Sequence, residues 1–325
     1  SLEARLYAED INKNFLPQSG CLHHLKFPKN SDHPNCIIDT GNKKGDSISP
    51  YYDPMIAKII SHGKNRKEAI NHLRNCLFDI EVAGITTNLN LLKKLLKNNQ
   101  FREGNIYTKF VENNIEQFMD KDIEPQLKAL ASLIIFNNLT PLQQNYWYNW
   151  KPTTYPINIT IGKKVTTFFI IRTSNKNFEV SFNNQDFYFS SVSFHDSTLK
   201  AKTKNKKFEV NFYVLRDKLT GNQNFTIFSD ENTFNAVLKN SLTQDSVEQS
   251  KFEDSVFAPM HGIIKINNLK IKNRVKKGDV LLKLEAMKME YSLIAPRDGI
   301  IKEIFCKNGE QVTENSKLLN LEKIK

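Results

Sequence analysis

No stretch of this 325-residue sequence is apolar for long enough to span a bilayer, and none reads as a signal peptide, so a membrane is not an expected partner. The four cysteines, Cys21, Cys36, Cys76 and Cys306, fall in no C-x-x-C pair. Neither a disulfide framework nor a zinc site is therefore expected, and a reducing compartment is favoured: cytoplasm or mitochondrial matrix. His23, His24, His33 and His62 make no H-E-x-x-H pair, so they read as solvated loop residues and no metal centre is expected. The formal charge of +11 comes without an arginine-rich block. Its lysines are scattered among asparagines, which argues against nucleic acid as a partner.

What the sequence does contain is an internal repeat. Ala258-Pro259 recurs 37 residues on as Ala295-Pro296, and Gly262-Ile263-Ile264-Lys265 as Gly299-Ile300-Ile301-Lys302. Val275 then meets Val312, and Leu281-Leu282-x-Leu284-Glu285 meets Leu318-Leu319-x-Leu321-Glu322, with no gap. Such a repeat predicts two halves of one small β-domain related by a pseudo-two-fold. Between them lies Glu285-Ala286-Met287-Lys288-Met289-Glu290, where the first half must turn back into the second. A lysine on a tight hairpin is displayed to solvent rather than packed. One asymmetry stands out. The second half has turn chemistry at Asn308-Gly309-Glu310, whereas the first reads Asn268-Leu269-Lys270-Ile271-Lys272-Asn273 and is expected to turn more loosely.

Upstream, Leu2, Ala4, Leu6 and Ala8 alternate with polar residues, a strand pattern already running at Ser1. The chain is accordingly expected to be the C-terminal part of a longer polypeptide. Short strands are expected around Ile37-Ile38-Asp39 and Ser47-Ile48. Asn65 with Glu68 predicts a capped helix presenting Ala69, Ile70, Leu73, Leu77 and Ile80 on one face, and Leu89, Leu92, Leu95 and Leu96 mark a second helix. Glu124-Pro125 begins a helix that is apolar nearly all round, so it must be buried on every side. Period-2 strands follow at Ile157/Ile159/Ile161, Phe178/Val180/Phe182, Phe187/Phe189, Phe208/Val210/Phe212 and Phe225/Ile227. A helix enclosed by an antiparallel barrel satisfies both patterns. Tyr146-Trp147-Tyr148-Asn149-Trp150 lies between helix and barrel. These aromatics read either as core beneath the barrel or as an interface anchor, with Trp147 and Trp150 the candidates.

The Ala-Met-Lys-Met tetrapeptide within the repeat resembles the biotinyl domain of biotin-dependent carboxylases, in which that lysine carries biotin. Glu3-Ala4-Arg5-Leu6-Tyr7-Ala8-Glu9-Asp10, Phe15-Leu16-Pro17, Tyr51-Tyr52-Asp53-Pro54-Met55-Ile56-Ala57-Lys58 and Val82-Ala83-Gly84-Ile85-Thr86-Thr87-Asn88 are similar to the C-terminal part of biotin carboxylase, the ATP-grasp component of the same enzymes. The middle segment resembles the domain that joins α and β subunits in acyl-CoA carboxylases. The implied fold is multidomain α+β. Residues 1–115 would be the C-terminal part of a biotin carboxylase domain and 116–239 an antiparallel barrel around a central helix. Residues 240–255 would form a flexible linker and 256–325 a flattened β-barrel biotinyl domain.

The resemblance implies biotin on Lys288, flanked by Met287 and Met289. Arg5 would lie beside the biotin ureido group, stabilising negative charge on its oxygen; its own pattern also fits a surface arginine paired with Glu3 or Asp53. Asp53 is a candidate supporting partner. MgATP and bicarbonate would serve the complete enzyme, with most of their binding residues in an upstream part of the carboxylase domain. Implied partners are a carboxyltransferase β subunit and a biotin protein ligase. The Val82–Asn88 stretch inclines the resemblance towards 3-methylcrotonyl-CoA carboxylase α subunits of leucine catabolism. A propionyl-CoA carboxylase α subunit, or a non-catalytic biotin carrier and scaffold, are the alternatives.

Overall fold

A computed structural model of the chain describes residues 1–119, 123–140, 153–162, 164–217, 220–229, 232–239, 255–266, 271–286, 289–313 and 316–322. It divides into two compact units. Residues 1–73, 84–89 and 245–325 make the first, and 74–83 and 90–244 the second.

In the first unit, strand β1 (Leu2–Tyr7) turns its alternate side chains inward, with Ala4 and Leu6 buried. A short antiparallel pair follows, β2 (Glu9–Asp10) with β3 (Leu16–Pro17). Strand β4 (Cys36–Asp39) and β1 flank β5 (Met55–Ser61), and Arg5 stands opposite Lys58. Helix α1 (Arg66–Phe78) is capped as its sequence predicts. The Glu68 N–H donates to Asn65 Oδ1 at 2.9 Å, and the Glu68 carboxylate accepts from the Lys64 N–H at 2.9 Å.

Helix α2 (Leu89–Lys97) departs from its expected face. Leu89 and Leu96 are buried, but so are Leu91 and Lys93, while Leu92 and Leu95 are only half-buried. Lys93 Nζ lies 5.5 Å from the centre of the Phe78 ring, so the ammonium is held partly by the aromatic face while its stem packs.

Helix α3 (Pro125–Leu139) has proline in its first turn, where the missing N–H costs nothing. Eight antiparallel strands close around it: β6 (Thr154–Ile161), β7 (Lys164–Ser174), β8 (Asn177–Phe182), β9 (Gln185–His195), β10 (Thr198–Lys202), β11 (Lys207–Arg216), β12 (Gln223–Phe228) and β13 (Thr233–Leu238). The register closes through Thr160 opposite Val237 and Ile161 opposite Ala236. Leu130, Leu133 and Ile134 of α3 share one buried cluster with Phe168, Ile170, Val180, Phe225 and Ile227 of the wall. The enclosed helix is therefore solvated by side chains, as its all-apolar surface demands.

Among the described residues the C-terminal repeat domain has eight strands: β14 (Ser255–Phe257), β15 (Gly262–Lys265), β16 (Arg274–Val275), β17 (Val280–Ala286), β18 (Met289–Ile294), β19 (Gly299–Ile304), β20 (Gln311–Val312) and β21 (Lys317–Glu322). They form two four-stranded sheets, ordered β14-β21-β19-β16 and β18-β17-β15-β20. A shift of 37 residues turns one order into the other, strand for strand, as the repeat predicts. The glycines show why both copies keep them. A Cβ at Gly262 would stand 2.7 Å from Glu285 O, and one at Gly299 would stand 2.8 Å from the equivalent Glu322 O. Either methyl would force paired strands apart.

Candidate functional site

Strands β17 and β18 pair to their very ends, with Ala286 opposite Met289, Glu285 opposite Glu290 and Leu284 opposite Tyr291. Met287 and Lys288, the two residues that join them, lie outside the described residues. The register at the base of this connection sets two glutamates face to face, which is repulsive unless a cation intervenes. Lys265 of β15 supplies it. Its Nζ lies 2.9 Å from Glu285 Oε2 and 2.9 Å from Glu290 Oε1, and Lys283 Nζ adds a contact of 3.1 Å to Glu290 Oε2. Hydrogen bonds from Lys265 and Lys283 hold the Glu290 carboxyl below the usual carboxylate range, while Glu285 and Glu290 raise the Lys265 ammonium. These contacts brace three strands at the base of the connection.

The second cluster lies on β1. Arg5 is exposed, and its Nε donates to Glu3 Oε1 at 2.8 Å. Hydrogen bonds to Glu3 and Tyr7 raise the guanidinium further above its ordinary value, so it is a permanent cation. The backbone beneath is clamped by Asn88, which is buried. Asn88 Nδ2 donates to Arg5 O at 3.1 Å, Asn88 Oδ1 accepts from the Tyr7 N–H at 3.0 Å, and the Asn88 N–H donates to Tyr7 O at 3.1 Å. One side chain plus its own amide thus completes the edge of β1 on both sides of Leu6. Glu9 has its pKa raised, by burial first and then by the neighbouring charge of Asp53.

Comparison with known proteins gives these two clusters a common context. The family described as biotin carboxylase C-terminal domain matches residues 3–113, and that described as biotin-requiring enzyme matches residues 254–321. The chain therefore carries a segment of the biotin carboxylase C-terminal type and a segment of the biotin-requiring type. Its biotinyl domain contains the paired β17–β18 ends, and its biotin carboxylase segment contains Arg5 and Asn88. Among curated relatives, the mitochondrial methylcrotonoyl-CoA carboxylase subunit alpha of Arabidopsis thaliana is 40% identical over 131 residues, 40% of this chain and 18% of that one. The same subunit of Dictyostelium discoideum is 28% identical over 315 residues, 88% of this chain and 43% of that one. The mitochondrial propionyl-CoA carboxylase alpha chain of Caenorhabditis elegans is 38% identical over 128 residues, 39% of this chain and 17% of that one. This chain spans less than half the length of each.

The residues expected from the sequence divide three ways. Arg5 stands exposed on β1, paired with Glu3. Asp53 caps its own strand entry, its Oδ1 accepting from the Met55 N–H at 2.9 Å. Met287, Lys288, Trp147 and Trp150, together with linker residues 240–254, lie outside the described residues. Sequence reasoning passed over Asn88 as a positioning residue and Lys265 as the cation beneath the hairpin. Lys265 carried a usable signal, since an alternating strand places it on the face of Glu285, but the partner strand had to be known first. No helix among the described residues is long and apolar enough to cross a membrane.

Proposed function

We propose that this chain is the C-terminal part of the α subunit of an acyl-CoA carboxylase of the 3-methylcrotonyl-CoA type, with Lys288 as the biotin attachment site. The observation that carries the reading is the paired end of β17 and β18. It leaves two residues for the connection, and the second of them is the lysine of Ala-Met-Lys-Met. An amine at such a connection suits amide formation with an activated biotinyl group, which needs an accessible, unprotonated nitrogen. Biotin held there would carry a carboxyl group from a bicarbonate- and MgATP-dependent site to an acyl-CoA acceptor. The protein's own contribution is mechanical and electrostatic. Lys265, Glu285 and Glu290 hold the hairpin base in register, and a tethered carrier keeps its cargo at high effective concentration near both sites.

Arg5 is assigned to the carboxylation step. Negative charge must develop on the ureido oxygen as the neighbouring nitrogen loses its proton, and a fixed guanidinium lowers that cost. Asn88 positions it through the β1 backbone, and Asp53 shapes the neighbouring turn. We assign the barrel to binding a carboxyltransferase β subunit, with Trp147 and Trp150 as anchors, and the chain to the cytoplasm or the mitochondrial matrix, which agrees with the mitochondrial relatives. Propionyl-CoA is the second substrate reading, supported by the resemblance to the propionyl-CoA carboxylase chain.

The test is co-expression with a biotin protein ligase. Peptide mass analysis should find biotin on Lys288 alone, and Lys288→Arg should abolish streptavidin reactivity. Labelling that survives the substitution overturns the assignment. Assay of the complex reconstituted with a β subunit, on both acyl-CoAs, decides the substrate.

A further inference from the structure

Within the first unit, three contacts join the biotin carboxylase segment to the biotinyl domain across more than two hundred residues of sequence. Leu16, only 2% exposed, belongs to the same buried apolar cluster as Val256, Ala258, Met260 and Val312. Ser19 Oγ lies 3.4 Å from His261 Nδ1. Gln311 Nε2 donates to Tyr51 Oη. The receiving residues are neighbours. Gly262, which follows His261, pairs with Val312, and Ile263 pairs with Gln311. They form the β15–β20 side of one sheet, and β20 is the edge farthest from β18 in the order β18-β17-β15-β20.

The donating segment is shaped to present Leu16. Asn14 and Phe15 both take left-handed backbone, φ 55° and 58°, which L side chains rarely adopt and which persists only where the surroundings enforce it. The turn is pinned behind them. Asp10 pairs with Leu16 and Glu9 with Pro17, and the Gln18 N–H donates to Ala8 O at 2.8 Å. A leucine held out by a strained, pinned turn would be a lone apolar projection if nothing covered it. Here the biotinyl domain does.

We propose that the turn from Phe15 to Ser19, together with Tyr51, is a docking surface for the biotinyl domain, which it grips along the β20 edge while leaving the β17–β18 hairpin uncovered. The proposal rests on the carrier reading of Lys288 for its purpose and not for its geometry. One apolar anchor and two side-chain hydrogen bonds suit an association that is made and left repeatedly, as a shuttling carrier requires. Glu290, at the start of β18, remains exposed in the docked arrangement.

Cross-linking tests it. In the whole chain carrying Cys21→Ser, the pair Ser19→Cys and His261→Cys should be joined by a short bismaleimide, with the linked peptides found by mass spectrometry. Adding Leu16→Asp should slow that reaction at least tenfold. Equal rates with and without Leu16→Asp, or no 19–261 link at all, would overturn the dock. Nuclear magnetic resonance relaxation guards against misfolding. Leu16→Asp should leave the biotinyl amides dispersed while shortening their rotational correlation time. Collapse of that dispersion would make Leu16 a core residue of the domain and defeat the proposal. Ligase labelling of Lys288 in the same samples judges the carrier reading separately.

Discussion

Replacing Lys272 by glycine should stabilise the biotinyl domain. Under the 37-residue shift Lys272 falls on Gly309, and both adopt left-handed backbone, φ 74° and 81°. The Lys272 N–H donates to Ile301 O at 2.8 Å, and the Gly309 N–H donates to Ile264 O at 2.7 Å. The returning bonds match too, from the Ile301 N–H to Asn273 O at 3.0 Å and from the Ile264 N–H to Glu310 O at 2.9 Å. At these positions the two halves match, with glycine in the second and lysine in the first. An L residue in that region costs about 1–2 kcal/mol. Glycine relieves that cost but frees the unfolded chain by about 0.4–1 kcal/mol. The Lys272 side chain is exposed, so little packing is lost. The net gain should be about 0.5–1 kcal/mol, a rise of roughly 2–8 °C in the melting temperature of a domain this small. Thermal denaturation followed by hydrogen exchange at the amides of Ile264 and Ile301 would measure it. Gly309→Ala should destabilise in the opposite sense. If Lys272→Gly is neutral or harmful, the backbone argument is wrong.

Three further outcomes follow from the same geometry. Gly262→Ala should drive a methyl into Glu285 O, cost about 1–3 kcal/mol, and impair Lys288 biotinylation more than Gly299→Ala, because β17 leads into the hairpin; equal biotinylation by the two variants would contradict this. Asn88→Ala leaves the Tyr7 N–H and Arg5 O without their partner, so it should cost about 1–3 kcal/mol and lower carboxylation in the reconstituted enzyme, whereas a variant as stable and active as wild type would remove Asn88 from its positioning role. Glu290, whose folded pKa is depressed, contributes stability that is complete above the unfolded value, about 4.3, and lost as pH falls through the lower folded value; carboxyl titration by NMR should show its midpoint move up in Lys265→Met, and an unmoved midpoint would mean that Lys265 is not its main partner.

The parts of this fold that repeat or alternate cleanly were legible in the residues. The displacement of 37 anticipated the two matched sheets, and the all-round apolar α3 required its enclosing barrel. Strand β7 was harder to read. Phe168-Phe169-Ile170-Ile171 is a continuous apolar run in which Phe168 and Ile170 face the core while Phe169 is 46% exposed, so no alternation announces it. Helix α2 misled because its face was read from leucines alone, yet Lys93 is 1% exposed with its ammonium over Phe78. Spacing fixes which residues share a face, but the partner element decides which face is covered. The Asn88 clamp and the Lys265 bridge have the same origin, since each acts on a strand distant in sequence.

The barrel's seam has a consequence for the time course of folding. Strands β6 and β13 meet through only Thr160 opposite Val237 and Ile161 opposite Ala236, joining segments almost eighty residues apart. Until β13 emerges from the ribosome, α3 has an incomplete wall around a surface that is apolar on every side. Pairing of such distant segments is intrinsically slow, and exposed apolar surface in the interval invites aggregation. The barrel segment should therefore be the part of this chain most dependent on chaperones during synthesis. Lesions at the seam should show themselves as lost soluble yield before any loss of native stability.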